Sequence, residues 1–212
     1  RVRVFQGRRL LKSFLVFKTS SNSFGNIMKI REMSKPFIMN LPGTDREIGS
    51  LFTANDLMWK PYNLFSLPMK EIESATFEDL NDPESSFTIK RSNNKFILSD
   101  PSGELTGWDS LRVTRYISYF YNIPFEDWAL DLSKTERDSI KSDKPLYVIR
   151  VMNTDGKMKE VMLWERTLTE GGIRKTDTDR LWAGSNESEE LMILRYFDID
   201  PLLKKKSYFF PG

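Results

Sequence analysis

Histidine and cysteine are both absent from the 212 residues of this chain. Their absence excludes Ser-His-Asp triads, Cys-His pairs, thiolate nucleophiles, zinc sites with Cys or His ligands, and disulfides. The remaining catalytic chemistry would use carboxylate, Lys or Tyr side chains, or a hard cation held by oxygen ligands. None of these shows a recognisable motif here. We therefore predict a protein that is not an enzyme, with no catalytic residues, no cofactor and no metal site.

A strong excess of one charge and a long apolar run are also missing. The chain carries 32 basic and 30 acidic residues, a net charge of +2. They are interspersed along the sequence, so nucleic acid is not an expected partner. The basic run at residues 204–206 lies beside the chain end and is predicted to be a solvated tail. No apolar run reaches the roughly 18 residues of a spanning helix, and no signal-peptide pattern appears.

What the chain does contain is typical of a globular protein. It has 39% hydrophobic and 13% aromatic residues, enough to bury a sizeable core at this length. Residues 1–5 (RVRVF) alternate like a strand and begin without an initiator Met. We expect the chain to begin inside a fold, with an upstream segment that could include an anchor.

Short strands dominate the prediction for the first third. Segments bounded by Gly, Ser, Asn or Pro predict an antiparallel meander with a basic turn around Gly7. The predicted strands are residues 1–6, 13–19, 25–31 and 35–41. A capping box, Thr44 with Glu47, predicts a short helix at residues 45–53.

A second strand group and two helices are predicted next. The strands are residues 69–78, 85–91 and 94–98. Asp109 is the predicted N-cap of a helix at residues 109–121 that packs on the sheet. The side chains predicted to face the sheet are Val113, Tyr116, Ile117 and Phe120. A second capping box, Ser133 with Glu136, predicts a shorter helix.

The last third is predicted to open with a hairpin. Residues 153–156 form its turn, with Gly156 supplying a positive φ. The polar residues 167–178 predict a loop, and Asp200-Pro201 predicts the start of a final turn. The predicted elements are strands at 145–152, 158–165 and 180–184 and a helix at 187–197.

These elements predict an α+β protein built from antiparallel, β-rich modules with a few short helices packed on the sheets. The predicted division is a strand-rich module with a short helix at 1–67, central strands plus a helix at 68–143, and a second strand-rich module at 144–212. All three are expected to pack as one compact unit. The predicted elements occur in a similar order at 1–53 and 145–197. An internal repeat would explain this similarity, and a chance order of elements in an α+β chain explains it equally well.

Several short motifs resemble a known bacterial group. They are residues 24–30 (FGNIMKI), 35–43 (KPFIMNLPG), 51–52 (LF), 59–60 (WK), 64–65 (LF), 179–183 (DRLWA) and 191–197 (LMILRYF). Together they are similar to domain-of-unknown-function family 4340. The resemblance implies a single N-terminal anchor, a first module upstream of Arg1, and repeated β-rich modules outside the cytoplasm. It carries no catalytic residues over to this chain.

Aromatic side chains are the main candidates for binding. The tryptophans are Trp59, Trp108, Trp128, Trp164 and Trp182. They could stack on sugars or on a partner's anchors, although Trp is usually largely buried. Trp59 and Trp108 lie beside the turn-forming residues Pro61 and Gly107. These two and Tyr62 are therefore the predicted ligand or partner contacts.

Polar clusters give weaker candidates. The carboxylate pairs for glycoside hydrolysis are Asp127 with Asp131 and Asp177 with Asp179. The calcium candidates are Asp177, Asp179, Asn186 and Glu187. No motif distinguishes either set from solvated surface residues. Gly171-Gly172, beside Arg174 and Lys175, lacks the pattern of a phosphate-binding loop and is predicted to be a mobile loop.

The sequence thus favours a non-catalytic interaction or scaffold module that contacts a protein partner. The resemblance implies a location in the periplasm or cell envelope, as part of a membrane-anchored bacterial protein, with membrane contact only through the upstream anchor. The alternative is a carbohydrate-binding module or a carboxylate-based glycosidase. A large exposed aromatic patch would favour the first function, and a deep polar cleft with convergent carboxylates would favour the second.

Overall fold

The structure is a computed structural model that describes residues 1–17, 25–40, 42, 52–53, 55–93 and 95–211. Its Cα positions form two compact units, Arg1–Lys60 and Pro61–Gly212. Antiparallel strands dominate, and three short α-helices accompany them in the described residues. The predicted class, β-rich α+β, is confirmed.

A four-stranded antiparallel meander lies in the N-terminal unit. Its strands, in spatial and chain order, are β1 (Val2–Gln6), β2 (Arg9–Val16), β3 (Asn26–Lys29) and β4 (Phe37–Met39). Gln6 faces Arg9 across a two-residue turn in which Gly7 has φ +57°. This tight turn is why β2 begins four residues earlier than predicted. The predicted helix at 45–53 lies outside the described residues, apart from positions 52 and 53.

A nine-stranded antiparallel sheet is the centre of the C-terminal unit. The strands of this unit are β5 (Asn63–Phe65), β6 (Ile72–Asp79), β7 (Phe87–Ser92), β8 (Lys95–Asp100), β9 (Gly103–Glu104), β10 (Ile123–Pro124), β11 (Asp127–Trp128), β12 (Tyr147–Asn153), β13 (Met158–Glu170), β14 (Ile173–Ser185) and β15 (Ser188–Arg195). The spatial order is β11-β15-β14-β13-β12-β6-β7-β8-β9, while β5 pairs with β10. Strands before and after residue 144 therefore share one sheet, joined where β6 pairs with β12.

Helix α1 (Ser110–Ser118) begins where the sequence predicts. The Asp109 carboxylate accepts hydrogen bonds from the backbone N–H of Leu111 at 2.7 Å and of Arg112 at 3.4 Å. The side chains predicted to face the sheet are all buried: Val113, Tyr116, Ile117 and Phe120. Phe120 lies in the 3-10 turn that continues the helix, Tyr119–Tyr121.

Helices cover both faces of the large sheet. Four residues opposed across adjacent strands are Phe87, Phe77, Ile149 and Val161. Side chains that oppose each other across strands point to the same face of the sheet. Helix α1 covers this face, as the contact between the Phe87 ring and the Tyr116 ring at 5.3 Å shows. Trp164 lies three positions beyond Val161 and so points to the other face. There α2 (Lys134–Ser142) packs against the sheet through Ile140.

Two further local predictions are confirmed. The Ser133 hydroxyl accepts from the Glu136 N–H at 3.3 Å, and the Glu136 carboxylate accepts from the Ser133 N–H at 2.8 Å, a capping box at the start of α2. The β12–β13 hairpin turns through Gly156, whose φ is +77°.

Two predictions in the last third are wrong. Residues 187–197 form β15 followed by α3 (Tyr196–Ile199) instead of one helix. Leu191, Met192 and Leu194 are all buried, and a strand buried on both faces shows no alternation that distinguishes it from a helix. Residues 167–178 belong to β13 and β14, which a two-residue turn joins, so the predicted loop is also wrong. The backbone N–H and C=O groups of these residues are paired between the two strands, and a polar sequence pattern does not reveal such pairing.

The basic run near the chain end is not a solvated tail, contrary to the prediction. Lys205 pairs with Asp82 at 2.9 Å, and Lys206 pairs with Asp100 at 2.5 Å. Three residues after Lys206 the Phe209 side chain is 0% exposed. Phe209 belongs to the core, so the segment that carries the lysines is anchored to the folded unit.

Ile117→Ala should destabilise the C-terminal unit by about 2–5 kcal/mol, because the buried side chain leaves a cavity between α1 and the sheet. Urea unfolding followed by circular dichroism measures the loss. Leu111→Ala is the matched control, since Leu111 lies in the same helix and is 73% exposed. It should change the stability by about 0.5 kcal/mol or less. An equally small loss for Ile117→Ala would show that the helix faces are assigned wrongly.

Candidate functional site

The three predicted contact residues lie in different surroundings. Trp59 belongs to the N-terminal unit and is 64% exposed, and its indole N–H donates to the Thr53 carbonyl at 3.1 Å. Trp108 and Tyr62 belong to the C-terminal unit and are half-buried. Desolvation, and then the charge of Asp127, raise the pKa of Tyr62. Of the three side chains, Trp59 is the most open to a partner.

The other tryptophans do not form an open stacking platform. Trp164 is 4% exposed and faces Trp182 across β13 and β14. The Arg166 guanidinium lies 4.9 Å from the centre of the Trp182 ring and covers it. Trp128 is 9% exposed and packs edge-on against Phe125 at 4.8 Å. These rings therefore serve packing within the unit.

Asp177, from one predicted carboxylate pair, has a structural role. It is 4% exposed, accepts from the backbone N–H of Asp179 at 3.0 Å and of Arg180 at 3.1 Å, and pairs with Arg166. Burial opposes ionisation of the carboxyl, but these hydrogen bonds outweigh it and lower the pKa of Asp177 below its ordinary 3.8. It lies where β13 and β14 lose register, between Glu165 and Thr167. The bonds thus stabilise a bulge.

The other carboxyl groups show no feature of the general acid that glycoside hydrolysis needs. Asp127 accepts from the backbone N–H of Trp128 at 2.8 Å, and Asp131 is exposed. Among the described Asp and Glu residues, every one whose pKa departs from its ordinary value is shifted downward: Asp82, Asp100, Glu126, Glu136 and Asp177. A glycosidase needs one carboxyl group whose pKa is raised. These shifts run in the opposite direction.

The predicted calcium residues are not brought together. Asp177 lies within β14 and Asn186 follows its last residue, nine positions after Asp177, which is roughly 20–30 Å in an extended strand. The Asn186 side-chain oxygen accepts from the Glu160 N–H at 3.0 Å, and Glu187 pairs with Lys159 at 2.6 Å. No group of three or more acidic side chains that could hold a metal occurs in the ranges described above.

Gly171 and Gly172 form the β13–β14 turn, with φ of +58° and +81°. A two-residue hairpin turn with positive φ at both positions favours Gly, which is why both are glycine here. Arg174 donates to the Thr167 hydroxyl at 3.0 Å across the hairpin. The segment is a two-residue turn between paired strands, with no helix start to bind phosphate, and its mobility stays a prediction.

A cleft of about 450 Å³ lies between α2 and strands β13 and β14. Its charged and aromatic lining residues are Glu136, Asp143, Lys144, Trp164, Glu165, Arg174 and Trp182. The Glu136 carboxylate is held by the Ser133 hydroxyl and backbone N–H, which lower its pKa. Glu165 accepts from the Thr176 hydroxyl at 2.8 Å. The cleft carries charges of both signs, and these two carboxylates already have partners.

A wider groove of about 710 Å³ is lined mainly by aromatic, proline and aliphatic side chains. We call it the aromatic groove, and its apolar residues are Tyr119, Ile123, Pro124, Tyr196, Phe197 and Pro201. Phe197 is 88% exposed. Asp198 and Asp200 also line the groove but are paired with Arg195 at 3.2 Å and with Lys204 at 2.6 Å. Sequence reasoning missed this groove because it assigned Phe197 to a continuous helix.

Charge is divided unevenly between the two units, unlike the even distribution assumed from the whole chain. Residues 1–60 contain 11 basic and four acidic residues, a net charge of +7. Residues 61–212 contain 21 basic and 26 acidic residues, a net charge of −5, and the two values add to the total of +2. Counting charge by segment would have revealed this division.

The N-terminal meander exposes many large apolar side chains. Those at the end of the β1–β2 hairpin are Phe5, Leu10 and Leu11, which are 53%, 50% and 48% exposed. We call residues 5–11 the hairpin tip. Others in the meander and its loops are Val4, Phe17, Ile30, Met33, Phe37, Ile38 and Met39. Single exposed apolar residues are ordinary, but a group this large on one small sheet is unusual for a surface that faces water.

None of the helices in the described ranges is long and apolar enough to cross a membrane. Comparison of the chain with protein-family models, with curated proteins and with solved structures finds no match.

Proposed function

We propose that this chain is a non-catalytic interaction module whose aromatic groove binds a protein partner. The observation that carries the proposal is Phe197, a large apolar side chain that is 88% exposed beside a groove lined by aromatic and proline residues. Aromatic side chains dominate the binding energy of protein interfaces. Phe197 has the size and exposure of such an anchor.

The chemistry of the groove indicates what kind of partner it accepts. Its two carboxylates are paired with Arg195 and Lys204, so the groove has no large unpaired charge. Tyr119, Tyr196 and the two prolines present flat, rigid surfaces. We expect the partner to be a protein segment that places an apolar side chain next to Phe197, since aromatic-lined grooves commonly accept extended apolar or proline-rich segments.

The setting of the module follows from the family resemblance and remains part of the proposal. The resemblance to domain-of-unknown-function family 4340 supports a membrane-anchored bacterial protein with this chain outside the cytoplasm, in the periplasm or cell envelope. The further module upstream rests on the same resemblance, and the internal repeat rests on the predicted order of elements at 1–53 and 145–197 together with the repeated modules that the resemblance implies. A protein partner in an envelope assembly fits this setting.

The alternative function is carbohydrate binding or hydrolysis in the cleft beneath α2, which two tryptophans line. Trp164 is almost fully buried and Arg166 lies over one face of Trp182, so the two rings do not form an open platform for a sugar. The lowered pKa of Glu136 also disfavours it as a general acid. A glycan array and hydrolysis assays test this function, and a robust sugar ligand would replace the first proposal.

The groove proposal is tested by placing a photo-crosslinking amino acid at position 197 of the full-length protein in its native bacterium. We expect a specific crosslinked protein, whose binding in purified form weakens about tenfold or more with Phe197→Ala. Ile173 is the matched control, since it is apolar, 63% exposed and located at the β13–β14 turn. Ile173→Ala should bind normally. Equal binding by both variants would overturn the proposal.

A further inference from the structure

We propose that the hairpin tip of the N-terminal unit inserts into the surface of an anionic lipid bilayer. This inference goes beyond the proposed function, because it concerns a different unit of the chain and does not involve the aromatic groove. The juxtaposition that carries it is a set of half-exposed apolar side chains at the end of a hairpin, surrounded by unpaired basic residues.

The geometry of the hairpin brings the apolar residues together. Phe5 and Leu10 face each other across β1 and β2. The pairing register of the two strands changes between Val4 and Phe5. Leu11 of β2 therefore has no partner residue in β1 and forms a β-bulge. Every residue from 3 to 12 is exposed. The hairpin thus ends in a compact apolar projection at the hairpin tip, and no other described part of the chain covers this projection.

The charge around this projection is one-sided. Arg3, Arg8, Arg9 and Lys12 flank it and form no ion pair with any residue in the described ranges. Over residues 1–40 there are nine basic residues and one acidic residue, Glu32, a net charge of +8. Glu32 is already paired with Arg1. Unpaired positive charge around an apolar surface complements a layer of anionic headgroups above hydrocarbon.

Two other occupants fit these observations less well. Nucleic acid would use the charge, but unpaired bases bind through stacking on aromatic faces, and two of the three apolar residues at the tip are leucines. A second copy of the same hairpin would bring the net charge of +8 against itself. A bilayer uses both the charge and the aliphatic side chains, since arginines remain at the headgroups while Phe5, Leu10 and Leu11 enter the acyl boundary.

Vesicle flotation with the intact chain tests the inference. Vesicles of equimolar phosphatidylglycerol and phosphatidylcholine should bind the protein, and vesicles of phosphatidylcholine alone should bind it at least about tenfold more weakly. Raising the salt from about 0.1 M to about 1 M shortens the Debye length from about 10 Å to about 3 Å and should release most of the bound protein. Equal binding to both kinds of vesicle, or to neither, would overturn the inference.

Two variants separate the apolar and basic contributions. The triple variant Phe5→Ser, Leu10→Ser, Leu11→Ser keeps the charge and should weaken binding about tenfold or more. The double variant Arg8→Glu, Arg9→Glu keeps the apolar residues and should weaken it about twentyfold or more, since each basic residue near the surface contributes roughly fivefold. Matched controls in the C-terminal unit are Phe197→Ser and the pair Lys134→Glu, Lys157→Glu. All three control positions are exposed in the folded chain, and circular dichroism checks the folding of every variant.

Because the chain has no cysteine, an introduced cysteine can be labelled at one chosen position, which allows a second measurement. Leu10→Cys carries an environment-sensitive fluorophore at the tip, and Phe197→Cys carries it in the other unit. The label at position 10 should shift to the blue on anionic vesicles, whereas the label at position 197 should not. If both shift equally, or if single-stranded DNA produces the same shift at position 10, the tip is not a lipid-specific contact. Self-association of the free protein that the serine variant abolishes would likewise overturn the inference in favour of a second copy.

Discussion

Phe209→Ala should destabilise the C-terminal unit by about 3–5 kcal/mol, the cost of deleting a large aromatic ring from a packed core. Phe209 is three residues from the end of the chain and 0% exposed. Its ring lies edge-on to Phe87 at 4.7 Å and to Tyr116 at 5.4 Å. The variant removes the contacts of the Phe209 ring with Phe87 of the sheet and with Tyr116 of α1.

Backbone contacts strengthen the expectation. The Asp109 N–H, at the start of α1, donates to the Phe209 carbonyl at 2.8 Å. The Arg112 guanidinium donates to the carbonyls of Tyr208 at 2.9 Å and of Phe210 at 2.6 Å. The last turn of the chain therefore completes the N-terminal end of a helix almost one hundred positions earlier.

Urea unfolding monitored by circular dichroism measures the effect of Phe209→Ala. Phe197→Ala is the matched control, because it removes the same side chain from a position that is 88% exposed, and it should change the stability by about 0.5 kcal/mol or less. A loss below about 1 kcal/mol for Phe209→Ala would mean that the chain end is not part of the core.

Asp177→Ala should cost about 3 kcal/mol, because it leaves the Arg166 guanidinium partly buried without its counter-charge. Breaking a buried ion pair costs roughly 3–5 kcal/mol, and we expect the lower end since the Arg166 side chain is 18% exposed. The Arg166 Nε has no hydrogen-bond partner in the described residues. The Asp177 carboxylate is therefore the main group that balances the charge of the Arg166 guanidinium. The variant also removes the acceptor for two backbone N–H groups.

The pH dependence of this pair has a definite sign. The pKa of Asp177 is lowered in the folded chain, so the unfolded state binds more protons as the pH falls. The stability that the pair contributes is present above about pH 4, near the unfolded pKa, and is lost as the pH falls through the lower folded pKa. Asp177→Asn keeps an acceptor for the backbone but loses the charge, and its stability should vary less with pH below about pH 4.

Asp179→Ala provides the control for the Asp177 variants. Asp179 is exposed and lies two positions away on the same bulge. We expect a change of about 0.5 kcal/mol or less, with the original pH dependence retained. Equal losses for Asp177→Ala and Asp179→Ala would contradict the assignment of a buried ion pair.

Local signals in the sequence predicted local structure well. The Asp109 cap, the Ser133 capping box and the turn at Gly156 are each complete within a few residues, and each is confirmed. The apolar face of α1 was also predictable, because its period of about 3.6 residues is visible without knowing the partner. The antiparallel meander followed from its bounded, alternating segments.

Features that depend on distant partners could not be predicted in the same way. The residues around Leu191 form a strand because helices and loops cover both faces of the sheet, and that coverage leaves no period in the sequence. Lys205 looked solvated because its partner, Asp82, lies more than a hundred positions earlier. The aromatic groove depends on bringing residues 119–124 beside residues 196–201.

The seam between β6 and β12 has a consequence for how the chain folds. Strands β6 to β9 and β12 to β15 form two ribbons of consecutive hairpins, and each ribbon can assemble from neighbouring residues. The ribbons meet only along the seam, where Tyr147 faces Asp79, about 70 positions earlier. Closing that long loop costs entropy before any of the seam contacts form. We therefore expect the ribbons to form early and the seam late, with overall folding on the millisecond to second timescale of sheets rich in distant pairings.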